Sequence, residues 1–556
     1  METSIHSKLG FWLGVAASAA PVVAADASRV SANVNAPTTR GPYIAEVLVT
    51  ARRREERAHE VPLSLAVRLG EGLERVGSLR LQEIAPTVPN LSTEVLNPRQ
   101  ASVAIRGLGR NPANDGLEAS AGVFVDGVYL GRPGMAVVDY FDVERIEVLR
   151  GPQGALFGKN TTAGLLNIST RAPTDSFDAY AQATMGNQSY LQLHGAISGP
   201  LIADRLSARL SAFTTRRDGF VTNAQRNMDL GEFDRDAVRA QLAWQPTESF
   251  DLRLIGDYSN QNEDGPGLVL VNAGITMEDG SIRPNNFLDR SARAGYVPQF
   301  EPFARSNVAD ASQLVVAENG GVAVHARWRI GAHTLTSISA WRIWENRPRS
   351  DSDFTPLDIQ PQLHFAVSDK QLSTELRLTS TANGRFNYQL GAFVFAQDLT
   401  SEFVAAYGRH AADFLQPGLP TRALDGVEVR TLGEPETRSA AVFGHVNWPL
   451  AERLDLSAGL RWTTEEKEAE IHRSSSGGAP LAPGEAMLRA VRDRLGAPVS
   501  VKPTLDEDFT SGVLSLAYRI GENGLAYASA ARGAKSGGVN VAIVPAGISQ
   551  VLEPEV

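Results

Sequence analysis

From residue 176 to the end of the chain, apolar and polar residues alternate with a period of two. Residues 454–463 and 205–212 show the alternation, and residues 372–378 repeat it. Successive side chains of a β-strand point to opposite faces, so each segment predicts a strand with one apolar and one polar face. A soluble β-sandwich would also alternate, and the pattern alone leaves both architectures open.

Three further features favour a transmembrane β-barrel. Short turns (245–249, 449–453, 521–523) alternate with long polar connections (264–320, 399–436, 468–508). The predicted strands have roughly 9 to 11 residues, which cross a bilayer when tilted. Aromatic residues lie near strand ends, as at membrane interfaces: Trp244, Phe250, Tyr258, Trp328, Trp341, Trp448, Trp462, Tyr518 and Tyr527. We therefore predict a mainly β protein with a transmembrane antiparallel β-barrel, of which about 13 or 14 strands follow residue 177.

The amino end predicts export. Lys8, an apolar run at 9–20 and the small residues at 23–25 indicate a signal peptide over residues 1–25, and Pro21 and the short run argue against a transmembrane helix. No cysteine occurs among the 556 residues, which removes disulfides and thiolate metal sites. The formal net charge of -10 argues against a nucleic-acid partner. Hydrophobic content of 43% fits a barrel whose lumen is polar.

The segment 141–173 has the sequence FDVERIEVLRGPQGALFGKNTTAGLLNISTRAP. We predict a strand at 145–149 with an ionic and an apolar face, a glycine-rich turn at 150–158 and a strand at 165–170. Gly151, Gly154 and Gly158 permit tight backbone turns there. A phosphate-binding loop is rejected, because the glycine spacing is wrong and Asn160 stands where a hydroxyl is needed. The nearby 107–112 segment lacks the third glycine of a dinucleotide fingerprint.

This segment closely resembles the plug domain of TonB-dependent outer-membrane receptors. The resemblance implies an α+β plug at residues 59–173, inside the lumen of a barrel at 174–556. Within the plug we expect a short helix at 79–84, strands at 103–107, 122–125 and 128–129, and an Asp-Gly turn between the last two. The residues that match the family's plug signature are Arg106, Gly107, Asp126, Gly127, Arg145, Glu147, Arg150, Gly151, Pro152, Gly154, Gly158 and Asn160.

Residues 26–58 form a predicted disordered amino-terminal segment that contains a short β-prone run. This run is similar to the family's TonB box, the strand that TonB captures by pairing with it edge to edge. The resemblance places the box at Glu46, Val47, Leu48, Val49, Thr50 and Ala51. A first strand of the plug is the alternative interpretation of the same residues. The implied partner is TonB with its inner-membrane energising complex.

Plugged transporters of this kind close with about 22 strands. The chain's last residues, 553–556, lack the aromatic ending of such barrels, and an open sheet edge is not tolerated in hydrocarbon. We therefore expect a carboxy-terminal truncation of roughly eight strands. A smaller barrel closed at about 14 strands is the alternative, although its lumen would be narrow for the plug.

The resemblance implies energy-coupled uptake of a scarce solute across the outer membrane of a Gram-negative bacterium, with a ferric siderophore as the expected cargo. Oligosaccharides, aromatic compounds and cobalamin-like compounds are alternative cargoes. The polar plug loop at 107–121 offers candidate substrate residues: Arg110, Asn111, Asn114 and Asp115. We predict no cofactor, no protein metal site and no enzyme activity, because the sequence lacks G-x-S-x-G and H-E-x-x-H motifs and its histidines are scattered. A passive porin, a barrel enzyme and an inert fragment are the alternatives of other classes.

Overall fold

The computed structural model describes residues 47–77, 79–109, 114–265, 267–380, 386–521, 524–545 and 547–555. The predicted signal peptide, Glu46 of the predicted TonB box, and the candidate substrate residues Arg110 and Asn111 lie outside these ranges. No helix in the described ranges is both long and apolar enough to cross a membrane.

The amino-terminal part of the described chain is an α+β plug. Its strands are β1 (Leu48–Val49), β2 (Glu56–Arg57), β3 (Ser64–Leu69), β4 (Leu91–Val95), β5 (Ala101–Ile105), β6 (Ala121–Val125), β7 (Val128–Leu130), β8 (Val143–Arg150) and β9 (Gly164–Thr170). Its helices are α1 (Gly70–Arg75), α2 (Leu81–Ile84) and α3 (Gly154–Phe157), with 3-10 turns at Ala58–Glu60, Ala85–Thr87 and Pro133–Ala136. The strand pairs at 122–130 and 145–170 were predicted.

Five plug strands form one sheet in the order β3-β8-β9-β6-β7. One face contributes Ile146 and Ile168, which are fully buried, to a core that also contains Leu81 and Ile84 of α2. The other face contributes Leu149 and Leu165 to a second core. This core also contains Val49 and two aromatic residues of later strands, Phe395 and Phe443. The predicted ionic face of β8 includes Glu147, which is fully buried and accepts a hydrogen bond from the amide of Thr50 in the hairpin of β1 and β2.

The second part is a large antiparallel sheet, which we call the wall, with its connections. In chain order its strands are β10 (Asp178–Met185), β11 (Leu191–Ile202), β12 (Leu206–Arg217), β13 (Val221–Asn223), β14 (Met228–Leu230), β15 (Phe233–Thr247), β16 (Phe250–Asp264), β17 (Ser306–Asn307), β18 (Leu314–Ile330), β19 (His333–Asn346), β20 (Gln362–Ser380), β21 (Asn387–Ala406), β22 (Val427–Ala451), β23 (Leu454–Gly477), β24 (Val499–Val501), β25 (Thr504–Ile520), β26 (Gly524–Arg532), β27 (Gly538–Val539) and β28 (Val551–Leu552). The connections carry helices α4 (Phe287–Arg293), α5 (Ala411–Leu415) and α6 (Ala486–Gly496), and a 3-10 turn at Thr421–Ala423.

The large sheet has 14 strands, which agrees with the predicted 13 or 14. Thirteen of them pair in chain order from β10 to β26, with the loop strands β13, β14 and β17 left out and β24 added beside β23. Each neighbouring pair along this path is antiparallel. Within the described residues β10 and β26 form the two edges of the sheet.

The predicted strand length was wrong for most of the wall. β11 and β12 have 12 residues, and β22 has 25. The polar segment expected to be a connection at 399–436 pairs with itself instead, for example Ser401 with Gly433. Backbone groups that leave the membrane can continue their ladder in water, so polarity of the side chains does not end a strand. The real connection there is residues 407–426.

Alternation along the wall strands separates an apolar outer face from a polar inner face. In β12, Ser207, Arg209 and Ser211 are buried on the plug side, whereas Leu210 is 50% exposed on the opposite side. Tyr258 is exposed on the outer face, and Phe250, eight residues away, lies on the same face by alternation. Trp328 on β18 pairs with Phe250, and Trp341 on β19 pairs with Val322, two residues from the partner of Tyr258. Eight residues span about 27 Å along a strand, which matches the tilted apolar band of a membrane barrel with aromatic residues at both borders.

The sheet wraps around the plug. Asp142 of the plug accepts hydrogen bonds from Arg209 of β12 at 2.8 and 2.5 Å. Gln371 of β20 donates a hydrogen bond to the Tyr129 carbonyl and accepts one from the Gly131 amide. These two bonds pair backbone groups at the edge strand β7. On the other side, Gly154 approaches Ser511 of β25. Because the plug contacts wall strands from β10 to β25, the sheet curves around it.

Gly154 illustrates how closely plug and wall approach. It lies in helix α3 and has no positive φ, so the expected tight turn is not its role. A Cβ at this position would lie 2.6 Å from the Ser511 hydroxyl and 2.7 Å from its Cβ. Gly151 and Gly158 do have positive φ values of 85° and 91°, as the turn prediction requires.

We predict that Gly154→Ala lowers the free energy of unfolding by about 1–3 kcal/mol, because the added methyl group overpacks the boundary between plug and wall. Gly72→Ala is the matched control: it lies inside helix α1, and a methyl group added there would have nothing within 4 Å. That control should be neutral or raise stability by about 0.5–1 kcal/mol. Urea denaturation in detergent measures both, and equal effects of the two substitutions would contradict the packing argument.

Candidate functional site

The predicted TonB box begins the hairpin 47–57, which lies against the plug sheet. β1 pairs with β2, Leu48 opposite Arg57 and Val49 opposite Glu56. Val49 and Ala51 are buried, whereas Leu48 is 42% exposed. The first strand therefore has one face toward the plug and one face accessible, as the alternation of a strand requires.

Thr50 is bonded to the plug signature. Its amide and hydroxyl donate to Oε1 of Glu147 at 2.8 and 3.1 Å, and Asn167 donates to the Thr50 hydroxyl at 3.0 Å. Glu147 and Asn167 lie opposite each other on β8 and β9. Sequence reasoning placed Glu147 in the signature but did not connect it to the box, because 97 residues separate the two and only sheet pairing brings them together.

The arginines of the hairpin join it to the wall. Arg52 donates to Asn447 and Ser457 of the wall at 3.0 and 3.2 Å, and also binds Glu56. The Arg53 guanidinium lies 4.9 and 4.2 Å from the ring centroids of Phe124 and Phe157, and 3.5 Å from Glu375 of β20. The hairpin therefore touches plug and wall at once.

Most signature residues shape the backbone or tie plug strands together. Asp126 and Gly127 both have positive φ, as the tight turn between β6 and β7 requires, and Asp126 accepts from the amide and hydroxyl of Thr170. Arg150 donates to the Pro89 carbonyl and Arg106 to the Ser64 hydroxyl. The remaining members lie as follows: Gly107 has positive φ, Arg145 pairs with Glu144 and Glu147, and Pro152 lies near Gly533.

A buried network of opposite charges connects the plug to the wall. Lys159 lies 2.9 Å from Glu118 of the plug and 2.5 Å from Glu465 of β23. Lys467 of β23 lies 3.1 Å from Glu118 and 3.1 Å from Glu465. Asn160 of the signature donates to Glu118 at 2.7 Å and accepts from the Ser536 amide. Each of these charges has a partner, which is the condition for holding a charge inside a protein.

Burial of the Glu118 carboxyl disfavours its charge, but Lys159 and Lys467 outweigh burial and hold its pKa well below its usual range. Burial likewise opposes the charge of Lys159, while Glu118 and Glu465 raise the pKa of its ammonium group. Glu118 and Lys159 are therefore both ionised at neutral pH. Sequence reasoning missed Glu118 and Lys159, since nothing local distinguishes them from solvated charges.

A second candidate surface is a 230 Å³ pocket at the rim that carries the long connections. We call it the outer pocket. The plug contributes the tip between β4 and β5, including Arg99, and the wall contributes Phe354, His364 and Phe365. The Arg99 guanidinium lies 4.3 Å from the ring centroid of Phe365. These residues were not predicted, because they come from segments about 250 positions apart.

The two predicted substrate residues within the described chain face the protein. Asp115 binds Arg99 at 2.9 Å and accepts from Ser401 of β21 at 2.7 Å. Asn114 donates to Asn540 at 2.5 Å and accepts from the amides of Gly116 and Val541. Asp115 thus orients Arg99 beside the pocket, and direct contact of Asn114 or Asp115 with a solute remains a prediction. No cluster of potential metal ligands occurs within the described residues.

The sequence matches the family described as TonB-dependent Receptor Plug Domain over residues 57–165. It matches the family described as TonB dependent receptor-like, beta-barrel over residues 176–556. The chain belongs to the TonB-dependent receptor family. The resemblance inferred from the 141–173 segment is thereby confirmed, as is the prediction of a plug with a barrel. Members of this family are outer-membrane receptors rather than a class of enzymes.

Among curated proteins, this TonB-dependent receptor is 20% identical to the pesticin receptor of Yersinia pestis over 511 residues, 91% of this chain and 66% of that protein. It is 28% identical to the ferrichrome outer membrane transporter/phage receptor of Escherichia coli over 130 residues, 23% of this chain and 17% of that protein. The chain spans about two thirds of the length of the pesticin receptor.

Among solved structures, the receptor is similar to the ferric yersiniabactin uptake receptor of Yersinia pestis, with a TM-score of 0.68 and 17% identity over 89% of this chain and 67% of that chain. It is also similar to a siderophore receptor of Acinetobacter baumannii, with a TM-score of 0.64 and 15% identity over 90% and 69%. At these identities the likeness establishes the fold.

We predict that Lys159→Met destabilises the receptor by about 3–5 kcal/mol, because it leaves Glu118 and Glu465 sharing one lysine in a buried site. Lys502→Met is the matched control, since its ammonium group pairs with Glu470 on the surface. That control should leave the free energy of unfolding unchanged. Urea denaturation at neutral pH compares the two, and a stable Lys159→Met variant would contradict the assigned network.

We predict that the loss of stability in Glu118→Gln depends on pH. The folded-state pKa of Glu118 is depressed, so its stabilisation is present above the unfolded value of about 4.3 and is lost as pH falls below it. The difference in unfolding free energy between wild type and Glu118→Gln should therefore be large at pH 7 and shrink toward about pH 3. Glu144→Gln, at an exposed position, serves as control. A difference independent of pH would contradict the ionised assignment.

Proposed function

We propose that this protein is an energy-coupled receptor in the outer membrane of a Gram-negative bacterium, which imports a scarce solute when TonB captures the segment 46–51. The observation that carries the proposal is the position of the hairpin 47–57, which is bonded through Thr50 to the signature residue Glu147. A pull on this segment acts directly on β8, the second strand of the plug sheet.

Among the described residues β1 pairs with no strand other than β2, so its second edge suits capture by strand addition. Leu48 is accessible, while Val49 and Ala51 are buried against the plug. Pairing with an incoming strand uses backbone hydrogen bonds, so affinity depends on an extended backbone more than on side chains. Full capture exposes Val49 and breaks the bonds of Thr50, and these losses must be offset by the new strand pairs.

The proposed cargo is a ferric siderophore. Support comes from the outer pocket, where the rings of Phe354 and Phe365 lie beside the Arg99–Asp115 ion pair, a lining suited to an aromatic-bearing chelate. The ferric yersiniabactin uptake receptor and the siderophore receptor described above share the fold. Iron enters this scheme as part of the cargo, so the receptor itself needs no iron ligands.

We predict that Leu48→Pro abolishes uptake and leaves solute binding intact, because proline removes a backbone donor and blocks strand pairing. Leu48→Ala is the matched control: it keeps the backbone donor and should retain uptake. The measurement is accumulation of radioactive iron from a panel of ferric siderophores in cells that lack their own receptors, alongside binding to the purified protein. Uptake at the wild-type rate by Leu48→Pro would instead indicate a passive pore.

A further inference from the structure

A cavity bounded by the hairpin 47–57 and the wall lies at the rim of short turns. Its volume is 690 Å³. The hairpin supplies one side through Thr50, Arg53 and Arg54, and strands β12 to β20 supply the other through residues that include Arg253 and Arg377. This cavity shares no lining residue with the outer pocket around Arg99.

Charge is distributed unevenly in the cavity. Three of the four acidic residues that line it are exposed at its mouth, namely Glu55, Asp175 and Asp204. The fourth, Asp251, pairs with Arg327 at 2.9 Å. The interior instead presents Arg53 and Arg377, whose side chains are at most 9% exposed. A chain with a net charge of -10 thus places an excess of positive charge in this one space.

The protein neutralises these arginines incompletely. Glu375 is shared by two guanidinium groups, those of Arg377 at 2.5 Å and Arg53 at 3.5 Å. On the hairpin, Glu56 is likewise shared by Arg52 and Arg54. Each group of three therefore carries one unbalanced positive charge. Buried charge without a partner is unfavourable, so such a site gains stability when an anion enters.

Directional donors are also available. The Nε atoms of Arg53, Arg54 and Arg377 are buried and have no acceptor among the described residues, and Nε2 of His325 is buried with no hydrogen-bond partner among them. All four residues line the cavity. The oxygens of a carboxylate or phosphate can accept two parallel hydrogen bonds from one guanidinium group, so arginines are the side chains best suited to bind such an anion.

We propose that this cavity is an oxyanion-binding site, which takes a carboxylate or phosphate group between the hairpin and the wall. Arg253 and Arg377 form its fixed part, and Arg53 and Arg54 form its movable part. Release of the hairpin removes the movable arginines, so the same event that frees the TonB box weakens the hold on the anion. The last step rests on the proposed function, whereas the binding site itself does not.

The binding test uses the full chain in detergent, with citrate and inorganic phosphate as probes in isothermal titration at low ionic strength. We expect one saturable site for which the two anions compete. Arg253→Gln, Arg377→Gln and Arg54→Gln should each weaken citrate binding about tenfold or more, the contribution of a charge-assisted hydrogen bond. The matched control Arg216→Gln removes an exposed arginine at the opposite rim and should change affinity by less than about twofold.

Folding is monitored by circular dichroism, and Arg377→Lys, which keeps the charge, gives a second variant if Arg377→Gln does not fold. Intermediate affinity in Arg377→Lys supports the site. Absence of saturable binding to wild type by millimolar citrate overturns the proposal. Equal affinity in wild type and in all three interior variants also overturns it, because the anion would then bind at the surface.

A cellular arm distinguishes the source of the anion. If the cargo carries it, Arg253→Gln/Arg377→Gln should slow uptake of an anionic ferric chelate and spare a neutral ferric trihydroxamate. If a free periplasmic anion occupies the site, the double variant should lose binding in detergent and import both chelates at the wild-type rate. Both outcomes support the proposed anion-binding site and differ only in the source of the anion. Failure of wild type to import any chelate would contradict the proposed function and leave the titration result unaffected.

Discussion

The contact between the Lys159 ammonium group and the carboxylates of Glu118 and Glu465 joins plug to wall inside the receptor. The membrane imposes the need for such a contact. Lipid requires apolar side chains on the outer face of every wall strand, and alternation then leaves polar side chains on the inner face. A plug that fills the lumen must therefore satisfy polar and charged groups, and cannot rely on an apolar interface alone.

This constraint explains the chemistry of the boundary. Asp142 with Arg209, Gln371 with the backbone of β7, and the Lys159 network all pair polar groups across it. Replacement of a buried ion pair by apolar residues is often neutral, whereas removal of one partner is costly. A boundary of this kind fixes the position of the plug relative to the wall strands, because each polar group must meet its own partner. The paired groups are polar or charged, so water can also solvate them.

The hairpin 47–57 brings three roles together in a short segment. Its backbone offers a strand edge, and Thr50 bonds to the plug sheet through Glu147. Its arginines contact the wall and line the 690 Å³ cavity. Because these contacts share one hairpin, they are gained or lost together. A displacement of the hairpin would therefore alter its contacts with the plug sheet, the wall and the cavity together.

The sequence by itself determined the alternating wall strands, the plug signature with its Asp126-Gly127 turn, and the approximate strand number, since these depend on periodicity and local backbone preference. It could not show that Glu147 is buried beneath Thr50, that Gly154 serves close packing, or that Asp115 binds Arg99. Strand length beyond the membrane also escaped prediction, because polar residues pair as well in water. Each of these features depends on which distant strands become neighbours, and only the tertiary structure, with the sheet curved around the plug, determines that.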